Sequence, residues 1–242
     1  MPAVLVHGVP DTERIWRAVL PALGRADVVT LRLPGFGGAP VPDGFDATKD
    51  AYARWLVEQI AAQPGPVDLV GHDWGALLVL RAACLAPERV RTWVAGGAPL
   101  DPEYVWHRAA QLWQTPEVGE KVMAQTTPAA MEKALAAAAV PPDDARKAAG
   151  RLDATMKDCI LRLYRSAITV GREWGADLVR LRAPGLLLWG AADPYAGPEW
   201  GERLAKATGA RLVIFPGCSH WWSLERPAEV AAEIRAHWSG LR

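Results

Sequence analysis

The chain is short of several things that would each point somewhere definite. Cysteine occurs three times in 242 residues, as Cys84, Cys159 and Cys218. That odd number, without C-x-x-C spacing, implies neither a disulfide framework nor a zinc site. An excess of charge of one sign is absent, with 27 Lys plus Arg against 27 Asp plus Glu, which removes the electrostatic footprint of a nucleic-acid or anionic-membrane binder. No apolar run approaches the roughly eighteen residues of a membrane span. The residues from Met1 to Gly8 have no basic stretch leading into a long apolar one, so a cytoplasmic location is expected. Internal repeats and low-complexity linkers are also missing, although Ala134 to Ala139 is locally simple.

What is present is a chain that is half apolar and 22% charged, long enough for one α/β domain with an insertion. Short apolar runs at Ala3–Val6, Val28–Leu33, Val67–Val70 and Val90–Ala95 read as strands. Between them lie helical patterns from Thr12 or Glu13 to Leu23, from Ala47 to Ala62 with a cap near Asp46, and from Ala76 to Ala86. This alternation predicts a parallel sheet with helices on both faces. From about Asp101 to Arg180 it stops, and the composition becomes helical, with Pro102, Pro116, Pro128 and the Pro141-Pro142 pair as expected helix starts. Strand character returns at Gly185–Trp189 and Arg211–Phe215, with helices at Glu199–Thr208 and Pro227–Trp238. The expected division is a core domain of residues 1–100 and 181–242 with a helical lid of residues 101–180. Such a lid would cover the sheet's carboxyl edge, where open α/β sheets bind ligands.

The most informative stretch is Gly71-His72-Asp73-Trp74-Gly75. It has the spacing of the G-x-S-x-G nucleophile elbow, with aspartate in place of serine. Small flanking residues let strand and helix backbones approach, and the central side chain is held outward on a strained turn. The bland alternative is a strand-to-helix turn whose aspartate complements the helix dipole. Two further residues follow their own strands: Asp193, after Gly185–Trp189, and His220, after Arg211–Phe215. Separately, an aspartate before proline is a turn former and a loop histidine is a solvated one. Together they give the order nucleophile, acid, histidine of an α/β-hydrolase triad.

These motifs carry a resemblance. His7-Gly8-Val9-Pro10, Pro34-Gly35-Phe36-Gly37, the elbow, Gly190 to Asp193 and Gly217 to His220 resemble the epoxide hydrolase and haloalkane dehalogenase group of α/β-hydrolases over nearly the whole chain. The implied fold is a mostly parallel sheet of about six strands, with helices on both faces and an inserted helical lid. Six are expected in place of eight because no room precedes His7 for two more. Arg32 stands where the group commonly has an acid. The resemblance implies Asp73 as nucleophile, His220 as the base that activates water, Asp193 as its partner, and the backbone N–H groups of Val9 and Trp74 as an oxyanion hole.

The leaving group distinguishes the two activities. An epoxide oxygen needs a proton, which the family supplies from lid tyrosines. Leu161-Arg162-Leu163-Tyr164-Arg165 resembles the stretch that carries one, so Tyr164 is the first candidate acid and Tyr104 the second. A halide needs N–H donors instead, and many dehalogenases have asparagine where Val9 stands. Trp74 with Trp106, Trp113 or Trp174 could still hold a halide. Twelve tryptophans, with Trp74, Trp106, Trp113 and Trp221 expected at the pocket, suggest a small apolar substrate. The expectation is therefore an epoxide hydrolase working through a covalent aspartyl ester, with no cofactor or metal and as monomer or homodimer. A haloalkane dehalogenase and a non-catalytic ligand-binding protein of the same fold are the alternatives.

Overall fold

The computed structural model describes residues 1–240. Among them, six strands form one sheet: β1 (Ala3–Val6), β2 (Val28–Leu31), β3 (Val67–His72), β4 (Val90–Gly96), β5 (Gly185–Gly190) and β6 (Arg211–Phe215). Their spatial order is β2-β1-β3-β4-β5-β6 and every pairing is parallel. The expected six-stranded parallel sheet is thus the one found. Its order reverses at β1, whose neighbours β2 and β3 lie on opposite sides. That opens a crevice beyond the carboxyl ends of β1 and β3, the location favoured for ligands in such sheets.

Both faces of the sheet are covered. On one side α2 (Lys49–Ala61) packs against α3 (Trp74–Leu85), and on the other α1 (Val19–Leu23) packs against α12 (Pro227–Ser239). A strand buried on both faces must be apolar throughout. β3 is fully buried along its length, and its one charge, Asp68, is paired with Arg25 at 2.8 Å, with Arg91, and with the Thr92 hydroxyl at 2.9 Å.

Two helices differ from the sequence expectation for local reasons. The pattern from Thr12 to Leu23 is split into a single tight turn, Glu13–Trp16, and the short α1. Pro21 has no N–H to give the Arg17 carbonyl, so one continuous helix is denied; as the third residue of α1 it occupies a position whose N–H lacks an intrahelical partner anyway. α2 begins at Lys49 because Thr48, not Asp46, caps it by accepting the Ala51 N–H. Asp46 instead holds the cap, accepting the Thr48 N–H at 3.0 Å and its hydroxyl at 2.8 Å.

Between β4 and β5 run α4 (Arg108–Gln114), α5 (Val118–Gln125), α6 (Pro128–Ala137), α7 (Pro142–Ala149), α8 (Ala154–Arg165) and α9 (Val170–Gly175). Pro128 and Pro142 open α6 and α7, whereas Pro102 opens no helix and α4 starts after His107. After β5 come α10 (Pro198–Thr208) and, before α12, the short α11 (Trp222–Glu225). Among the described residues no helix is long and apolar enough to cross a membrane.

Candidate active site

Asp73 sits between the last residue of β3 and the first of α3, with φ 53° and ψ −124°. A non-glycine residue in this region is strained by roughly 1–3 kcal/mol and persists only where its surroundings over-determine it. Those surroundings are glycines and backbone. A Cβ on Gly71 would overlap the Gly75 carbonyl, one on Gly75 would overlap that of Val6, and one on Gly8 would overlap Asp73 itself. The Asp73 N–H is tied to the Gly96 carbonyl at 2.9 Å. The carboxylate therefore has one exit, into the crevice at the end of the sheet.

There one oxygen, Oδ1, accepts the Val9 N–H at 2.7 Å, and the other, Oδ2, lies 3.6 Å from His220 Nε2. His220 Nδ1 is 2.7 Å from Asp193 Oδ2. Asp193 Oδ1 accepts two backbone N–H groups, from Tyr195 at 2.8 Å and Ala196 at 3.0 Å. The loop after β5 thereby fixes the acid, and the acid fixes the imidazole. His72 holds it from behind: its ring lies 4.7 Å from that of His220 and its Nε2–H donates to the His220 carbonyl at 2.9 Å. His7 pins the loop that carries Val9, with Nε2 accepting the Leu33 N–H at 3.0 Å and Nδ1 on the Gly8 carbonyl at 2.8 Å. Trp74, as the first residue of α3, has an N–H without an intrahelical acceptor.

Burial opposes charge at every one of these groups, and its balance with neighbours sorts them. Desolvation pushes His7 and His72 down to about 4, so both are neutral spacers at pH 7. It also works against a charged His220, but the Asp193 and Asp73 carboxylates outweigh it and raise that ring to about 10. For Asp73, burial is again the largest influence, raising its pKa, yet His220, His72 and the Val9 N–H together leave it below the usual carboxylate range. The resting site is an imidazolium between two carboxylates.

A cavity of about 130 Å³ opens on this row, of the size that accepts a benzene-sized molecule. Val9, Asp73 and His220 line it from the sheet edge, and His107, Trp113 and Tyr164 from the helical insertion. The Tyr164 ring stands 4.9 Å from Trp113 and 5.4 Å from Trp74. Burial, followed by the Asp73 charge, holds its phenol well above its ordinary pKa, so it is a neutral donor.

Trp221 lines the same cavity and turns its indole N–H to Asp11 Oδ2 at 2.9 Å, whose carboxyl burial raises to about 7. Trp106 lines a smaller pocket beside Asp73 together with Trp74 and Tyr104, stacked 5.8 Å from Trp74, with its N–H on the Ala167 carbonyl at 3.2 Å. The Trp174 N–H reaches Asp50 at 3.2 Å, away from the cavity. Tyr104 gives its hydroxyl to the Tyr195 carbonyl at 3.0 Å. Arg32 forms a two-pronged pair with Glu13, at 2.7 and 2.5 Å.

Two polar cavity residues escape the sequence reading, His107 and Tyr195, along with the apolar Ala109, Met131 and Leu135. Tyr195 stands two positions after Asp193 and could have been found from that spacing. His107 precedes the first helical residue of α4, where a capping side chain is expected.

Residues 3–233 match the alpha/beta hydrolase family, and the chain belongs to that family. Epoxide hydrolase A of Mycobacterium tuberculosis is 25% identical over 301 residues, covering 98% of this chain and 90% of that protein. A haloalkane dehalogenase of Mycolicibacterium paratuberculosis is 28% identical, covering 96% and 82%. Among solved structures, epoxide hydrolase A of Mycobacterium thermoresistibile aligns with a TM-score of 0.78 at 24% identity, covering 100% of this chain and 92% of that one. These relatives support a hydrolase.

Proposed function

We propose that the protein hydrolyses a small apolar epoxide to a diol through an ester on Asp73, with residues 101–180 as a lid. The observation that carries this reading is the row Asp73–His220–Asp193 ending in a cavity that Tyr164 also lines. In the first half-reaction an Asp73 oxygen attacks an epoxide carbon in line. The carbon–oxygen bond of the ring breaks, its electron pair goes to the oxygen, and that oxygen takes the Tyr164 proton.

Esterification abolishes the Asp73 charge, one of the two that raise His220. The imidazolium then becomes acidic enough to return a proton to the tyrosinate, which leaves it neutral. In the second half-reaction neutral His220 takes a proton from water as the hydroxide attacks the Asp73 carbonyl. The Val9 and Trp74 N–H groups face the oxyanion. Collapse breaks the bond between the Asp73 carbonyl carbon and the substrate oxygen. The proton left on the added hydroxyl passes to that oxygen to give the diol, Asp73 is again a carboxylate, and His220 is again protonated. Asp193 holds the imidazole in register throughout.

Haloalkane dehalogenation is the second reading. It is favoured by one feature, the Trp74 indole N–H, which is buried without an acceptor; a halide would need such a donor. Both readings share the ester, and trapping it separates them. In His220→Gln no base remains for the second half-reaction, so the ester should accumulate. Intact-protein mass spectrometry after incubation with styrene oxide should show an adduct of the full epoxide mass on the peptide containing Asp73. Adducts from alkyl halides alone would replace the epoxide reading by the dehalogenase. No adduct from a panel of both would leave a ligand-binding role.

A further inference from the structure

The chain as a whole is electrically balanced, but one recess in it is not. Where the core turn Glu13–Trp16 meets α7 of the insertion, a small cavity is lined by Arg14, Arg17, Lys147 and Arg151 against only two acids, Asp11 and Asp144. Both acids are already engaged. Asp144 is paired with Arg17 at 2.6 Å, and Asp11 Oδ2 accepts the Trp221 indole N–H at 2.9 Å. The neighbouring carboxylates are taken as well, Glu13 by Arg32 and Asp143 by Arg146. Among the described residues, Arg14, Lys147 and Arg151 are left without a carboxylate partner.

Arg151 shows what this arrangement costs. It follows α7, is half-buried, and donates a guanidinium N–H to the Lys147 carbonyl at 2.6 Å, which folds its side chain back over the helix end. Burial first, and then the Arg14 charge, hold this guanidinium below its ordinary pKa. It stays a cation all the same. Like charges from two parts of the chain are therefore held together without a counter-charge, and an anion from solution offsets that cost.

The recess has about 30 Å³ of room, enough for two water-sized groups. Two oxygens of a tetrahedral oxyanion fill that space while the others face solvent, where the exposed Arg14 and Lys147 can reach them. Guanidinium groups match such oxygens in pairs. Its two sides also belong to different parts of the molecule. Arg14 comes from the core, Lys147 and Arg151 from the insertion, and the Arg17–Asp144 pair already crosses between them. α7 packs against α6, whose Met131, Ala134 and Leu135 line the cavity at Asp73.

We propose that this recess binds a phosphate-type oxyanion, held by Arg14 from the core and by Lys147 and Arg151 from the insertion, and that the bound ion clamps α7 to the core. With α7 fixed, α6 is steadied as a wall of the neighbouring cavity. The site does not depend on which substrate Asp73 takes, since the Trp221–Asp11 pair stands between the two cavities.

The melting temperature is followed as inorganic phosphate, or methyl phosphate, is raised to about 20 mM with NaCl matching the ionic strength. At about ten times the dissociation constant the parent should gain about 3–5 °C over the NaCl control. Arg14→Gln and Arg151→Gln, one from each side, should each lose most of that gain. Arg146→Gln removes the same charge from α7 outside the recess and should keep it. A larger gain with phosphate than with methyl phosphate would support the site and identify the free ion as its ligand, and the reverse would support it with an ester. Amide hydrogen exchange then tests the clamp: phosphate should slow exchange in α7 of the parent but not of Arg14→Gln. No gain beyond the NaCl control, or an equal gain in every variant, would overturn the site. A gain without protection of α7 would mean that one side alone holds the ion, and would overturn the clamp.

Discussion

The elbow and the helical insertion face the same cavity but are built on different rules. Around Asp73 the backbones of β1, β3 and α3 approach so closely that Gly71 and Gly75 have no room for a Cβ, and the Asp73 side chain itself fills that room at Gly8. The site there is held by main-chain geometry, and each small residue is dictated by its neighbours. Across residues 101–180, α4, α6 and α8 are started by single side-chain caps, such as Thr127 accepting the Ala130 N–H at 3.2 Å and Asp153 accepting the Met156 N–H at 2.8 Å, and α5, α7 and α9 by none. They leave apolar side chains in water, Ile168 at 59% and Val179 at 88% exposure. One region fixes the position of a carboxylate; the other presents aromatic rings on helices. An insertion built this way can vary its lining without disturbing the carboxylate below.

The contrast can be broken first at its rigid end. Gly75→Ala would drive a methyl group into the Val6 carbonyl, where neither strand nor helix can yield. A loss of about 3 kcal/mol is expected from such overpacking, read by urea unfolding. A variant as stable as the parent would show that the elbow backbone adjusts freely.

A middle-sized effect comes from pH, because the two most deeply buried histidines both serve the sheet edge. The folded-state pKa of His7 and His72 is about 4, against an ordinary 6.5. Groups depressed in the folded state add stability that is present above 6.5 and lost as pH falls through about 4. Between pH 6.5 and 5.5 the loss should be about 1 kcal/mol per histidine. His220 runs the other way: raised to about 10, it adds stability that is complete below 6.5 and lost as pH rises through 10, so it leaves the acid window unchanged. Asp11, raised to about 7, gains stability as pH falls over the same window, so urea midpoints at the two pH values are compared in an Asp11→Asn background, where equal midpoints would mean that these rings are not desolvated.

The smallest effect belongs to the insertion. Gly150 follows α7 in right-handed backbone at φ −67°, and a Cβ there would meet nothing closer than 3.5 Å. Gly150→Ala should raise stability by about 0.5–1 kcal/mol through the unfolded chain's lost freedom. Any clear destabilisation would mean the insertion is packed as tightly as the elbow.

The same contrast explains what could be read in advance. The alternation of strands and helices, the six-stranded parallel sheet and the Gly-x-Asp-x-Gly elbow were legible because they are local. A strand buried on both faces must be apolar, and a turn where backbones touch must be glycine. Less legible was the split at Arg17–Ala18, where the apolar face runs on but Pro21 cannot donate. The insertion was readable as helix and hardly at all as a surface. Tyr104 and Trp106 line a small pocket beside Asp73, and the fold turns the Tyr104 hydroxyl to Tyr195 and the Trp106 N–H to Ala167.

By itself, then, the sequence determined the sheet, the chain order of Asp73, Asp193 and His220, and the type of each residue, since backbone sterics and burial act over a few positions. Only the tertiary structure decided that His220 stands between two carboxylates at 3.6 and 2.7 Å, and that His107 and Tyr195 join Tyr164 at the cavity. Those relations join residues up to 147 positions apart (His220 to Asp73). The side-chain direction that creates them is set by packing between elements, on which no local pattern reports.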